Sequence, residues 1–328
     1  MNRIRLPICL AVMALAFGPA SAAVAPRKLT PKPGLTAAAA AYEQGVTAFG
    51  QKDFATAMRL WRPLAGQGNA RAQFGLGVIY DGGLGVAQDY AVAVGWYRKA
   101  ADQGHIEALF NLAVLVGRGQ GAPQSFAVSA DLFRKAAEQG NALAQFNLAG
   151  MYDHGLGVSQ DDVLAASWYR KAAEQGNPDA QFNLGVYYIR ARGMPRDMAA
   201  AAGWMRKAAD QGNILAQHNL ALMYEGGQGV AQDYGAAAQW YRKAAQQGHA
   251  PAQFNLAVLY AGGQGMAQDY VQARKWFDLA ATEATEARVR DQAVLNRDLL
   301  ASALTAEQLQ TATAQADDCR QSSFKMCE

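Results

Sequence analysis

Along most of the chain apolar side chains recur three and four residues apart, in pairs of short stretches separated by glycine-rich polar breaks. That spacing predicts amphipathic helices rather than strands. Between 69 and 104, Ala72, Leu76 and Tyr80 fall on one face of the first stretch. Ala93, Trp96, Tyr97 and Ala100 fall on one face of the second. Asn69 and Asp89 stand before the two stretches, where a side-chain oxygen accepts from the free N–H groups of a first turn. Gly82, Gly83 and Gly85 follow the first stretch and Gly104 the second, allowing the positive φ that ends a helix. The segment therefore reads as helix A, loop, helix B.

The same pattern returns at a fixed interval. Gln67-Gly68, Gln103-Gly104, Gln139-Gly140, Gln175-Gly176, Gln211-Gly212 and Gln247-Gly248 are each 36 residues apart. A period of this size marks stacked units that bury a continuous core only against their neighbours. The fold class expected is all-α, a solenoid of stacked helix-turn-helix repeats. A shortened first unit spans 36–68, and six units of 36 residues cover 69–284. Residues 285–316 read as capping helices, with Thr305 and Gln308 spaced for a capping box. A tail follows over 317–328.

Two further columns run along the A helices. Phe74 and Val78 lie about 100° from Leu76 and Tyr80, and the Phe74 register continues as Phe110, Phe146, Phe182, His218 and Phe254. The adjacent register holds Asn111, Asn147, Asn183, Asn219 and Asn255. Each column has two readings: core between neighbouring units, or lining of a groove in which amides bind an extended peptide backbone. On the B helices the tryptophan register (Trp96, Trp168, Trp204, Trp240, Trp276, with Leu132 in its place once) is assigned to the buried face. Truncation there is expected to cost about 3–5 kcal/mol. Arg-Lys pairs at 98–99, 134–135, 170–171, 206–207 and 242–243 sit near helix C-termini, where they complement the macrodipole and meet Asp102, Glu138, Glu174 and Asp210. One register varies freely: Arg71, Glu107, Leu143, Asp179, Leu215, Pro251. The loop from Ile189 through Arg190, Ala191 and Arg192 to Arg196 is basic and unlike its counterparts.

Composition adds compartment and excludes some partners. Arg3 and Arg5, the apolar run Leu6 to Phe17 and Ala20-Ser21-Ala22 form a signal peptide over 1–22, too short to anchor in a bilayer. A linker containing Pro26, Pro31 and Pro33 follows over 23–35. Export to a periplasm, or alternatively beyond the cell, is expected, without a stable membrane anchor. Taking Arg3 and Arg5 from 30 basic residues leaves 28 against 27 acidic, a net charge of +1. A near-neutral chain gives no drive towards nucleic acid. Cys9 leaves with the signal, and Cys319 and Cys327 are spaced to close a small disulfide loop.

The unit 69–104 resembles the Sel-1-like repeat, a branch of the tetratricopeptide-type helical hairpins. Ala72, Gln73, Leu76, Gly77, Tyr80, Gly83, Gly85, Val86, Asp89, Ala93, Trp96, Lys99, Ala100, Ala101 and Gly104 carry the resemblance, which extends over 69–284. It implies a right-handed superhelix whose A helices line a concave groove, and an adaptor role in a multiprotein assembly. In bacteria it further implies envelope signalling, secretion or host contact. Departures are Val116 for the tyrosine after helix A, Ala191 for a loop glycine and Arg196 for glutamine.

Catalytic chemistry finds little footing. A nucleophile needs a base and an orienting third group, and no such set stands out. Ser322-Ser323-Phe324-Lys325 spells S-x-x-K, but in a polar tail without partner motifs. The four histidines are scattered, without zinc spacing. His105 and His249 occupy the capping register, and no cofactor or metal is expected. The expectation is a non-enzymatic scaffold that binds a protein or peptide through Phe146, Asn147, Phe182, Asn183, Tyr187, Arg190, Arg192, His218 and Asn219. Two alternatives are a glycan binder presenting Tyr152, Tyr187 and Tyr188 to sugar rings, and a β-lactam-recognising hydrolase.

Overall fold

The computed structural model describes residues 37–322, 324 and 327. The signal peptide and the whole proline-containing linker lie outside the described residues, as do Ser323 and Lys325 of the S-x-x-K string. Every regular element among the described residues is an α-helix, and none is long and apolar enough to cross a membrane. The chain divides after Gln175 into two compact units.

The first unit contains α1 (Ala37–Gly50), α2 (Phe54–Gly66), α3 (Ala70–Gly82), α4 (Tyr90–Ala101), α5 (Ile106–Arg118), α6 (Phe126–Glu138), α7 (Ala142–His154) and α8 (Asp162–Glu174). The second contains α9 (Pro178–Arg190), α10 (Met198–Asp210), α11 (Ile214–Gly226), α12 (Tyr234–Ala245), α13 (Ala250–Gly262), α14 (Tyr270–Glu283), α15 (Ala287–Ala301) and α16 (Ala306–Gln321). From α1 to α8, and from α9 to α15, each helix packs on its sequence neighbour, the stacked-hairpin arrangement of an all-α solenoid.

Local chemistry sets the helix ends. Asn69, Asn141, Asn177 and Asn213 accept from the N–H three residues on, as do the ring Nδ1 atoms of His105 and His249. Asp89, Asp197, Asp233 and Asp269 do the same for B helices. Each A helix of the six repeats ends in a left-handed residue, five times glycine. A Cβ on Gly121 would collide with backbone at Tyr90, and one on Gly229 with backbone at Met198. Adjacent repeats approach too closely there for any side chain.

The glutamines of the repeat form a lattice. Gln73, Gln145, Gln217 and Gln253 donate to the carbonyls of Ala65, Ala137, Ala209 and Ala245 on the preceding B helix, at 3.0–3.2 Å. Gln73, Gln145, Gln181 and Gln217 accept from Gln103, Gln175, Gln211 and Gln247 of their own repeat, at 2.7–2.8 Å. The Gln-Gly signature is thus a structural tie. Leu109 interrupts it, and Gln139 turns to the carbonyl of Lys135 instead.

After the last repeat, α15 packs on α14 through Val289, Ala293 and Leu300. Helix α16 also packs on α14, opens with the Thr305–Gln308 capping box and runs past residue 316 to Gln321. Cys319 therefore lies within a helix rather than in a tail. It is bonded to Cys327 (Cα–Cα 4.8 Å), both sulfurs buried, and Phe324 lies over Gly248. Asp278 of α14 binds Arg297 of α15 at 3.2 Å and Arg320 of α16 at 3.0 Å, holding the three helices together.

Candidate partner-binding surface

The columns offered as groove lining are core. Phe146 is 7% exposed, Phe182 4%, and His218 fully buried. Asn147 and Asn183 are 2% exposed, Asn219 is fully buried, and Tyr187 is 2% exposed. The rings pack against the B-helix ring of their own hairpin, as Phe110 on Phe133, Phe146 on Tyr169 and His218 on Tyr241 show, with centroids 5.6–5.9 Å apart. Asn111 donates to the hydroxyl of Tyr97 on the preceding hairpin at 3.1 Å. Asn147 follows Phe133, which has no hydroxyl, and turns to the carbonyl of Leu143 at 2.8 Å, leaving its Oδ1 without a partner.

The B-helix assignment shifts by one residue at four of the five tryptophan positions; Trp276, the fifth, is buried as expected, 1% exposed. The fully buried ring is that of Tyr97, Phe133, Tyr169, Tyr241 and Phe277, with Met205 in the same register. Trp96, Trp168, Trp204 and Trp240 are half-buried. Each carries the lysine of its own Arg-Lys pair over the indole, 3.9–4.3 Å from the ring centroid. The arginines reach the tyrosine that ends the next A helix. Arg62 donates to Tyr80, Arg134 to Tyr152 and Arg242 to Tyr260, at 2.7–3.5 Å, and Arg206 stacks on Tyr224. Most of the basic column is therefore engaged with aromatic rings, a use that sequence spacing alone did not single out; Lys135, which has Leu132 in place of a tryptophan, pairs with Asp131 at 2.9 Å.

The positions left to solvent on the A helices lie at their ends. Near the N-terminal ends Arg71, Glu107 and Leu143 are exposed in the first unit; in the second Asp179 is exposed, with Leu215 and Pro251 half-buried. At the C-terminal ends Arg118 and His154 in the first unit and Arg190 in the second are exposed. These registers differ in charge and polarity from repeat to repeat, whereas most packed registers keep their residue type. Arg192 is half-buried, its guanidinium 4.8 Å above the Tyr187 ring. Two of the tyrosines considered for sugar stacking are committed to the protein: Tyr187 is in the core, and Tyr152 accepts from Arg134.

Several titratable groups are displaced by burial. Burial pushes Tyr97 and Tyr241 well above the usual tyrosine range, helped by Asp81 and Glu225 beside them. His218 is held well below 6.5 by burial and by His249 nearby, and burial holds His249 at about 4. No cluster of His, Cys, Asp and Glu suited to a metal ion occurs among the described residues.

Comparison with known proteins places this geometry. No curated protein matches the chain. Among solved structures it is similar to c5321, a protective antigen of uropathogenic Escherichia coli strains displaying an SLR fold. Identity is 32%, covering 88% of this chain and 69% of that one, with a TM-score of 0.58. It is also similar to a Sel1 repeat protein from Oxalobacter formigenes, 32% identical over 73% of this chain and 96% of that one, with a TM-score of 0.64. The Sel1 repeat model matches six times, at 70–105, 106–141, 142–177, 178–213, 214–249 and 250–284, each match one residue out of step with the 36-residue units counted from Asn69. With more than half of its length in these six matches, the chain belongs to the Sel1 repeat family.

Proposed function

We propose that this chain is an exported, non-enzymatic scaffold that binds a protein or peptide partner through the exposed ends of its A helices. One observation carries the reading. The exposed registers at the ends of the A helices change charge and polarity from repeat to repeat, as Arg71, Glu107, Leu143 and Asp179 show, while most registers used in packing, capping and the glutamine lattice keep their residue type. A repeat array with a shared interior and an individual surface is suited to recognition, and affinity in such surfaces concentrates in a few anchors. The Sel1 repeat is generally a non-catalytic scaffold fold, which supports the same reading. The leader-like sequence of 1–22 supports a periplasmic location.

The test is crosslinking of the tagged chain in its native envelope, with captured proteins identified by mass spectrometry. Leu143→Glu and Glu107→Lys, both at exposed positions, serve as surface variants whose folding is checked by melting. One dominant partner, weakened in a folded surface variant, is the expected result. Capture of wall fragments in place of protein would replace the scaffold reading with the glycan-binding one.

A further inference from the structure

The α9–α10 connection is built differently from its counterparts. Elsewhere Gln88, Gln124, Gln232 and Gln268 donate back across this loop to the carbonyls of Asp81, Gly117, Glu225 and Ala261, at 2.6–2.8 Å. Arg196 takes that register here and is exposed. The left-handed position that glycine fills in the other five repeats is held by Ala191, at φ 56° and ψ 38°. A side chain in that conformation costs about 1–2 kcal/mol. Strain retained in one loop of a regular array points to a use for that loop.

Its charge says what use. Arg190, Arg192 and Arg196 fall within seven residues, and no acidic residue lies between Asp179 and Asp197. Where the hairpins at Asp81 and Glu225 place an acid just before this loop, Ile189 stands here. Other cations of the second unit are spent on rings: Arg206 on Tyr224, Lys207 on Trp204, Arg242 on Tyr260, Lys243 on Trp240. Arg190 and Arg196 point to solvent, and the Tyr187 ring supports Arg192 from below. Guanidinium groups bind carboxylates bidentately, and that of Arg192 is already held in place by the ring beneath it.

We infer that the 189–196 segment is the docking point for an acidic peptide segment, rich in Asp and Glu, of the scaffold's partner. This rests on the scaffold reading above and names its chemistry. The near-neutral charge of the whole chain argues against a general polyanion surface and for this local one.

The test uses the full mature chain and a fluorescent Asp/Glu-rich peptide, with the Asn/Gln peptide of the same order and a polyphosphate chain as comparators. The acidic peptide is expected to bind, and to bind at least about tenfold more weakly once salt rises from about 50 mM to about 500 mM. Arg190→Glu/Arg196→Glu is expected to weaken it by about tenfold or more with an unchanged melting temperature. Arg190→Gln/Arg196→Gln serves if the reversal variant misfolds. Equal binding by a folded variant, equal binding of the Asn/Gln peptide, or preference for polyphosphate would overturn the inference. In the envelope crosslinking, a protein partner retained in full by the loop variant would sink the loop and leave the scaffold standing. Absence of any partner for the unaltered chain would sink the scaffold reading itself.

Discussion

The hydroxyl of Tyr97 donates to Oδ2 of Asp81 across the α3–α4 hairpin at 3.0 Å and accepts from Asn111 of the next hairpin at 3.1 Å. Tyr241 makes the equivalent bond to Glu225 at 2.6 Å. The two registers change together. Acids at 81, 153 and 225 accompany tyrosines at 97, 169 and 241, whereas Gly117, Ile189 and Ala261 accompany Phe133, Met205 and Phe277. A buried acid is kept where a hydroxyl answers it, because an unanswered one is costly. Tyr97→Phe is therefore expected to cost about 1–3 kcal/mol. Adding Asp81→Ala, which recreates the Ala261–Phe277 pairing, should recover at least about 1 kcal/mol of that loss. Chemical denaturation of the two single variants and the double one closes the cycle; strictly additive losses would remove the proposed coupling.

The half-buried tryptophans should matter less than their buried neighbours. Trp168 is covered on one side by Lys171, 3.9 Å from the ring centroid, while Tyr169 is fully buried. Trp168→Ala is expected to cost about 1–2 kcal/mol and Tyr169→Ala about 3–5 kcal/mol. Melting midpoints of the two variants decide it, and the reverse order would restore the tryptophan register as the packing core.

The hairpins, caps and repeat period were legible because each depends on chemistry within a few residues: Asn69 before a first turn, Gly83 after a last one. The fate of Phe146 and Asn147 was not. Their angular position on a helix does not say whether the next surface is a neighbouring hairpin or water, and here it is a hairpin. The one-residue shift from Trp96 to Tyr97 escaped for a similar reason, since adjacent side chains lie only about 100° apart and both read as apolar. The joint variation of acid and tyrosine was present in the sequence and needed all six repeats compared in register. The basic loop was visible as an irregularity, but its strain at Ala191 is a matter of backbone geometry.

Relieving that strain should stabilise the chain. Ala191→Gly removes a Cβ from a left-handed position and is expected to gain about 1 kcal/mol, less the extra entropy of glycine in the unfolded state. Gly155→Ala is the converse experiment. Its φ is 66°, and an added Cβ would meet only ordinary van der Waals contacts, so its expected loss of about 1 kcal/mol reports conformation alone. Urea midpoints of both variants check the pair; a clearly destabilising Ala191→Gly would mean that the loop carries no strain.

Acid should loosen the α11–α13 region, and a single substitution should remove part of that sensitivity. His249 caps α13 by accepting the Ala252 N–H at 3.2 Å, and its ring lies 4.8 Å from that of His218. His218 contacts Tyr241 and Asn255, and the titratable neighbours acting on it are His249 and Tyr241, with Glu225 beyond the tyrosine hydroxyl. Both imidazoles are held neutral in the fold, His249 with its value lowered from 6.5 to about 4 by burial. The unfolded chain therefore binds more protons below pH 6.5, so their contribution is complete above that value and is lost as the pH falls towards 4. For His249 alone the loss reaches about 2 kcal/mol by pH 5. His249→Asn installs the cap used by Asn69, Asn141, Asn177 and Asn213, keeping the helix start without a titrating ring. Its denaturation midpoint should match the unaltered chain near pH 7.5 and exceed it near pH 5. His218→Phe, matching the register elsewhere, should act in the same direction. Parallel pH dependence in the unaltered chain and both variants would show that the histidine pair does not set acid stability.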